Sequence, residues 1–374
     1  MKKVLFLTGT RADFGKLKSL IKITQESKFF DVHIFATGMH LSTKYGHTVN
    51  EIYKSGFNNI FQYINHENGA TMDKILSKTI NGLSDFVLDL KPDLIVVHGD
   101  RVEALAGAIV GSLNNILVAH IEGGEVSGTI DELIRHSVSK LSHVHLVSNS
   151  EAKGRLIQMG EDTSSIFEIG SPDLDAMSKD NLSSLDSVLK YYNIPFKEYA
   201  IALFHPVTTN LSSIQQDTSF MIDAMLSSHE NYIVVLPNND TGSDLIVKEY
   251  EKLQNLNNIK IFPSVRFEYF LALLKNAKFI MGNSSAGIRE APYYHVPTIN
   301  IGDRQHNRVR SNSIINVNCH KDDLKKAIKE ALSMEINSCD IYFGDGDSDK
   351  KFYELLTSKT IWRINHQKQF KDLI

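Results

Sequence analysis

A chain of 374 residues is too long for one ordinary core, because a domain typically takes roughly 100–200 residues; two domains of similar size are expected, with the cleft between them as the default site. With 42% hydrophobic and 22% charged residues, the composition excludes a disordered or fibrous chain. The formal net charge of -4 gives no whole-chain basic field of the kind nucleic-acid binding needs, so any anion must be held locally.

The opening Met1-Lys2-Lys3 followed by Val4 to Leu7 starts like a signal peptide, but the apolar stretch stops early and no small-residue cleavage site follows. It reads as a buried first strand. The first half then repeats one device: a short continuous apolar run, a polar or glycine-containing turn, and a segment of helical period. The runs are Val4 to Leu7, Val32 to Ala36, Leu94 to Val97, Ile116 to Ala119, Val144 to Val147 and Ile166 to Ile169. Continuous runs predict strands covered on both faces, as in a parallel sheet. Met72, Ile75, Leu76, Ile80, Leu83, Phe86, Val87 and Leu90 fall at steps of three or four and predict one amphipathic helix.

The second half repeats the device with Ala200 to Phe204, Tyr232 to Leu236, Ile259 to Phe262, Phe279 to Met281, Thr298 to Ile301 and Ile314 to Val317. The fold class expected is α/β, with two doubly wound, Rossmann-like domains. The junction is placed at Gly170-Ser171-Pro172, where glycine and proline interrupt and a Ser/Asp/Asn-rich stretch from Ser178 to Ser187 follows. That gives a first domain over 1–171 and a second over 172–357, with Trp362 to Ile374 expected within a terminal helix, 358–374, that crosses back to the first. No apolar run approaches the roughly 18 residues a membrane span requires. Two isolated cysteines, Cys319 and Cys339, fit a reducing compartment, so the cytoplasm is expected.

In open α/β sheets ligands collect at the carboxyl ends of strands, so the side chains after each run matter most. After the first comes Thr8-Gly9-Thr10-Arg11-Ala12-Asp13-Phe14-Gly15-Lys16; after the third, His98-Gly99-Asp100-Arg101; after the fourth, His120-Ile121-Glu122-Gly123-Gly124-Glu125. Asp131 and Glu132 open the next helix, which continues through Arg135 and His136. Carboxylates with histidines and arginines at one sheet edge suit acid/base chemistry on an anionic substrate, although each acid alone serves equally as a helix N-cap. The turn from Thr8 to Lys16 lacks the spaced glycines of a dinucleotide fingerprint and is no P-loop. Arg11, Lys16 and free amides at a helix start remain able to hold phosphate.

In the second half, Phe279 to Met281 runs into Gly282-Asn283-Ser284-Ser285-Ala286-Gly287-Ile288-Arg289-Glu290. Two serines where a helix begins offer hydroxyls and amides to a diphosphate, and Glu290 is placed to accept from ribose hydroxyls. His143 and His145 alternate on a strand and indicate no third ligand, so no metal is expected.

These residues resemble the hydrolysing UDP-N-acetylglucosamine 2-epimerases of sialic acid biosynthesis. The resemblance is carried, in the family's order, by the blocks at Thr8–Leu17, His98–Arg101 and His120–Glu125, by Phe204-His205-Pro206-Val207-Thr208-Thr209 and Pro237-Asn238-Asn239-Asp240, and by Gly282–Glu290 and Gly302-Asp303-Arg304-Gln305. It implies a glycosyltransferase-B type fold, with UDP mainly against the second domain. His205, Asn238, Ser284, Ser285 and Arg304 would lie near the phosphates and nucleotide, Glu290 on the ribose and the Val265 backbone near the uracil. Arg11, Gly15 and Arg101 would close on UDP from the first domain, and Asp100, Glu122 and Asp131 match the family's catalytic acids.

The reaction implied removes the C2 proton of the sugar, expels UDP from C1 to leave a 2-acetamidoglucal, and hydrates it to UDP and free N-acetylmannosamine. Three rivals remain at this stage: the non-hydrolysing epimerase, a hydrolysing enzyme for UDP-2,4-diacetamido-2,4,6-trideoxyglucose on the legionaminic acid route, and a glycosyltransferase or silent UDP-sugar binder. The expected partner is a UDP-sugar, with no cofactor, nucleic acid or membrane, in a homo-oligomer, dimer or tetramer.

Overall fold

The computed structural model describes residues 1–65, 70–127, 130–177, 182–207, 211–238, 240–305, 311–336, 342–369 and 371–372. Thr208, Thr209 and Asn239 of the sequence motifs, and residues 178–181 of the expected linker, lie outside them. The chain divides into two compact units, one drawn from 1–125, 131–178 and 342–374, the other from 126–130 and 179–341.

The first unit is built on a parallel sheet of β1 (Lys2–Thr8), β2 (Phe30–Ala36), β3 (Ile60–Gln62), β4 (Leu94–His98), β5 (Leu117–Ile121), β6 (Val144–Val147) and β7 (Ile166–Glu168). Its order is β3-β2-β1-β4-β5-β6-β7. The predicted amphipathic helix forms over Met72–Leu90. β3 was not foreseen: three residues at a sheet edge, largely exposed, carry too short a pattern to register against a loop.

The second unit has β8 (Ala200–Leu203), β9 (Tyr232–Val235), β10 (Ile259–Phe262), β11 (Ile280–Gly282), β12 (Thr298–Ile301) and β13 (Ile314–Val317), parallel in the order β10-β9-β8-β11-β12-β13. The continuous apolar runs have the expected cause. Ala200 and Ala202 face one core with Met221, Val234 and Met281, while Ile201 and Leu203 face another with Ile233, Val235 and Ile280. Both faces are covered, so neither parity of residue meets water.

In each sheet the strand order reverses at one point, between β1 and β4 and between β8 and β11. At such a switch point open α/β sheets place their ligand sites, beyond the carboxyl ends of the strands. At the second such point β8 and β11 approach closely. A Cβ at Gly282, whose φ is +137°, would lie 2.0 Å from the Leu203 carbonyl oxygen, so only glycine fits there.

The course of the chain differs from the expectation at both crossings. Pro172 does not break the chain but opens the helix Pro172–Met177, a position proline favours. That helix is tied to the first unit. Lys16 Nζ pairs with Asp173 at 3.0 Å, and Asp175 accepts from Ser19 Oγ at 2.9 Å, Ser348 N at 2.8 Å and Ser348 Oγ at 2.7 Å. By capping the helix Ser348–Thr357, Asp175 draws that segment into the first unit as well. The chain therefore leaves after the helix and returns at 342, not at 172 and 358.

The terminal helix expected over 358–374 is not present in the described residues. Among the described residues beyond Thr357 the regular structure is a short 3-10 turn, Ile361–Arg363. The apolar residues there bind outward: Trp362 stacks on Phe30 with ring centroids 6.4 Å apart, and Ile361 enters the first core. Polar groups farther on bond to the body of the unit, as in the 2.6 Å hydrogen bond from His366 Nδ1 to the Asn115 carbonyl.

Candidate active site

Of the acids singled out in the first unit, Asp100 and Glu122 follow β4 and β5, and Asp131 lies in the helix Ile130–Leu141. Glu122 follows β5 with φ of +65°, a left-handed conformation uncommon for a non-glycine residue and found preferentially at functional positions. Its amide donates to the Leu146 carbonyl at 3.0 Å, and its carboxylate, 3% exposed, accepts from Ser171 Oγ at 3.1 Å. His98 Nε2 lies 3.3 Å from the same oxygen, Oε1. Asp100 follows β4 and is the more accessible acid, with 25% of its side chain exposed.

Arg135 joins the two. From the helix Ile130–Leu141, its Nη1 donates to the Glu122 carbonyl at 2.7 Å and its Nη2 donates to Asp100 Oδ2. Arg135 was visible in the sequence only as one member of a charged group and received no role. Its partners lie 13 and 35 residues away, a relation that spacing does not reveal. Asp131, half-buried in the first turn of this helix, lies one turn before Arg135 on the same face.

The turn after β1 is less available to phosphate than expected. Asp13 Oδ2 accepts from the Gly9 amide at 2.9 Å, and Asp13 Oδ1 accepts from the Thr10 amide at 3.0 Å and Thr8 Oγ1 at 2.5 Å. The Thr10 side chain in turn accepts from the Asp13 amide at 3.2 Å. This capping box occupies the amides, and Lys16 is paired with Asp173. Arg11 opens the helix Arg11–Gln25 half-buried, and Gly15 is buried in it. Arg101 Nε donates to Glu103 Oε2 at 3.2 Å.

Asn283 organises the second unit's edge. Its Oδ1 accepts from the His205 amide at 2.7 Å, and its Nδ2 donates to the His205 carbonyl at 2.8 Å. Its own carbonyl accepts from Arg304 Nη1 at 3.1 Å and Gln305 Nε2 at 3.0 Å. His205 Nδ1 accepts from the Asn238 amide at 3.3 Å, which leaves the ring proton on Nε2. The structure thus brings His205, Asn238 and Arg304 together around a residue that received no role from sequence.

The serine turn is only partly as anticipated. It opens a three-residue 3-10 turn, Ser285–Gly287, followed by a four-residue helix, Glu290–Tyr293, so no long helix dipole stands behind it. Ser284 acts as the cap, its Oγ accepting from the Ala286 amide at 3.3 Å. Ser285 is half-buried beside it, and Glu290 is 3% exposed. Val265 is buried just ahead of the helix Phe267–Lys275, beyond β10 at the sheet's far edge. His143 and His145 are engaged apart: His143 Nδ1 accepts from the Val118 amide at 3.1 Å, whereas His145 Nε2 donates to Glu161 at 2.9 Å.

A family profile described as UDP-N-acetylglucosamine 2-epimerase matches residues 22–357. The chain belongs to this family. It is 46% identical over the full length of both chains to the UDP-N-acetylglucosamine 2-epimerase of Neisseria meningitidis serogroup B. It is 35% identical to the hydrolyzing UDP-N,N'-diacetylbacillosamine 2-epimerase of Legionella pneumophila, covering 96% of each. Among solved structures it resembles the Methanocaldococcus jannaschii UDP-GlcNAc 2-epimerase in complex with UDP-GlcNAc and UDP, with a TM-score of 0.82 and 26% identity, covering 96% of this chain and 99% of that one. The two α/β units are those of this epimerase fold, of the glycosyltransferase-B-like kind, and the chain is an enzyme of the epimerase family. No helix among the described residues is long and apolar enough to cross a membrane.

Two outcomes follow for this epimerase. Arg135→Met, by removing charged hydrogen bonds, should destabilise the fold by about 1.5–3 kcal/mol and lower turnover; calorimetry showing an unchanged Tm with full activity would contradict the role given to Arg135. The second concerns acid. Burial depresses His120 from 6.5 to about 3 and His40 from 6.5 to about 4, so below 6.5 the unfolded chain binds protons that the folded chain refuses. Their stabilising contribution is complete above 6.5 and is lost as pH falls toward the folded values. Tm should therefore drop between about pH 6.5 and 5, before ordinary carboxylates titrate; a Tm flat across that window would be inconsistent with neutral, buried imidazoles.

Proposed function

We propose that this chain is a hydrolysing UDP-N-acetylglucosamine 2-epimerase, converting UDP-N-acetylglucosamine to UDP and N-acetylmannosamine. The observation that carries this is the Asp100–Arg135–Glu122 arrangement, with Asp131 one turn away on the Arg135 helix. It is supported by the 46% identity to an epimerase of that name and, for hydrolysis, by the hydrolyzing enzyme of Legionella. The few cysteines accord with work in the cytoplasm.

In the first step a carboxylate removes the weakly acidic C2 proton. The C2–H electrons form the C1=C2 bond while the C1–O bond breaks toward UDP. Donors around the diphosphate stabilise the departing charge. We assign this to His205, Asn238, Ser284, Ser285 and Arg304, with Glu290 on the ribose, the Val265 backbone on the uracil, and Arg11, Gly15 and Arg101 as further UDP contacts. In the second step water adds across the glycal: hydroxyl goes to C1 and a proton to C2 from the opposite face. Asp100, Glu122 and Asp131 share the base and acid roles across the two steps. A second reading, the same reaction on UDP-2,4-diacetamido-2,4,6-trideoxyglucose, is favoured by the diacetylbacillosamine name of the Legionella relative.

With UDP-N-acetylglucosamine alone in deuterated water, UDP and N-acetylmannosamine bearing deuterium at C2 are expected by NMR. UDP-N-acetylmannosamine as the stable product would make the enzyme non-hydrolysing, and turnover of the diacetamido sugar alone would establish the second reading. Asp100→Asn, Glu122→Gln and Asp131→Asn should each slow the reaction by about a hundredfold or more; full activity in all three returns these acids to a structural role.

Ser285→Ala and Arg304→Ala test the nucleotide contacts. Each should weaken UDP binding by about 1.5–3 kcal/mol, and calorimetry giving wild-type affinity for both would remove them from the site.

A further inference from the structure

A buried ionic cluster in the first unit takes no part in the chemistry above. Glu161, 1% exposed, accepts from Lys140 Nζ at 2.8 Å and His145 Nε2 at 2.9 Å and forms an ion pair with Lys368 Nζ at 2.5 Å. Burial opposes its charge, but the hydrogen bonds from His145, Lys140 and Lys368 prevail and hold the carboxyl down at about 2. Lys368 enters from the returning tail, and its ammonium donates to the carbonyls of Ser139 at 3.0 Å, Lys140 at 2.8 Å and Ser142 at 2.7 Å. Ser139 and Lys140 belong to the last turn of the helix Ile130–Leu141 and Ser142 follows it, where carbonyls lack intrahelical partners. A cation there also complements the negative end of the helix dipole.

Flanking contacts hold the tail in this place. His366 Nδ1 donates to the Asn115 carbonyl at 2.6 Å, Gln367 Nε2 to Asn115 Oδ1 at 2.7 Å, and His143 Nε2 to the His366 carbonyl at 3.0 Å.

The same helix turn connects to the acids by a second route. His120, fully buried, is kept neutral by burial. Its Nε2 donates to the Gly99 carbonyl at 2.8 Å, because a carbonyl only accepts, so its Nδ1 accepts from Ser139 Oγ at 3.0 Å. Gly99 is the residue before Asp100. The helix carries Asp131 in its first turn and Arg135 near its middle, and over twelve residues it is a rod about 18 Å long. A shift of the last turn therefore reaches all of these groups.

We propose that Lys368 is a positioning residue for the proton-transfer acids: its ammonium fixes the last turn of the helix Ile130–Leu141 and, through it, Asp131, Arg135 and the Ser139–His120–Gly99 chain that ends at Asp100. This rests on the assignment of Asp100, Glu122 and Asp131 as the reacting acids.

The test compares full-length Lys368→Met and Lys368→Arg with wild type, by amide hydrogen exchange and by kinetics on UDP-N-acetylglucosamine. Lys368→Met should speed exchange within 131–141 and lower kcat about 10- to 100-fold, the scale of a small misplacement of catalytic groups, with KM little changed. Lys368→Arg, a planar fork that cannot converge on three carbonyls, should fall between the two, and it carries the test if the methionine variant does not fold. Added to Asp131→Asn, Lys368→Met should cost less than it does alone, because coupled residues are not additive. Unchanged exchange in this helix, or wild-type kcat in both variants, overturns the proposal. Wild-type protein inert on UDP-N-acetylglucosamine would instead refute the proposed substrate, while the exchange comparison would still decide whether Lys368 holds the helix.

Discussion

Arg135 carries a permanent charge to a place where only 2% of its side chain meets water, and such a charge is tolerated only where acceptors replace the lost solvent. Its acceptors include a backbone carbonyl and a carboxylate from two different strand ends. The guanidinium is planar and rigid, so satisfying it fixes the separation of those strand ends as well as its own position. Glu122 is then held with its backbone in the left-handed region, a conformation of order 1–3 kcal/mol above the usual one that the surrounding bonds to Leu146, Ser171 and Arg135 can sustain. Asp100 and the Glu122 backbone are thus tied together by a buried cation.

The second unit solves a similar problem with a neutral residue. Asn283 presents an acceptor and a donor on one side chain, and both are used on the backbone of His205. Because Asn283 follows β11 and His205 follows β8, these bonds cross the point where the strand order reverses. The close contact allowed by Gly282 brings the two strand ends near enough for that exchange. His205 is oriented in consequence, its Nδ1 committed to the Asn238 amide.

The returning tail gives the first unit a third source of order. Phe352, Leu355 and Leu356 complete its core, with Phe6 and Phe352 in edge contact at 6.1 Å between centroids. The segment beyond is bound by hydrogen bonds and ion pairs to residues more than two hundred positions earlier. Such contacts bring no local periodicity with them, which is why this part of the chain adopts an irregular path although its composition suggests a helix.

All the described strands but β3, their parallel sense and the helix Met72–Leu90 were written in local pattern, since a strand covered on both faces must be apolar at every position. Asp100 and Glu122 stand in the positions that follow such strands and Asp131 opens the next helix, whereas His205, Asn238 and Arg304, and the catalytic role of the three acids, came only from the family resemblance. What the sequence by itself determined is therefore most of the strands, the two-domain plan and the identity of the polar residues at the sheet edges. Tertiary structure alone decided that Arg135 and Asn283 organise the two sheet edges and that 342–374 belongs with the first unit. The physical reason is one of range: periodicity reports which face of an element is buried, but a buried polar group is specified by the partner that satisfies it, and those partners lie tens to hundreds of residues away in the chain.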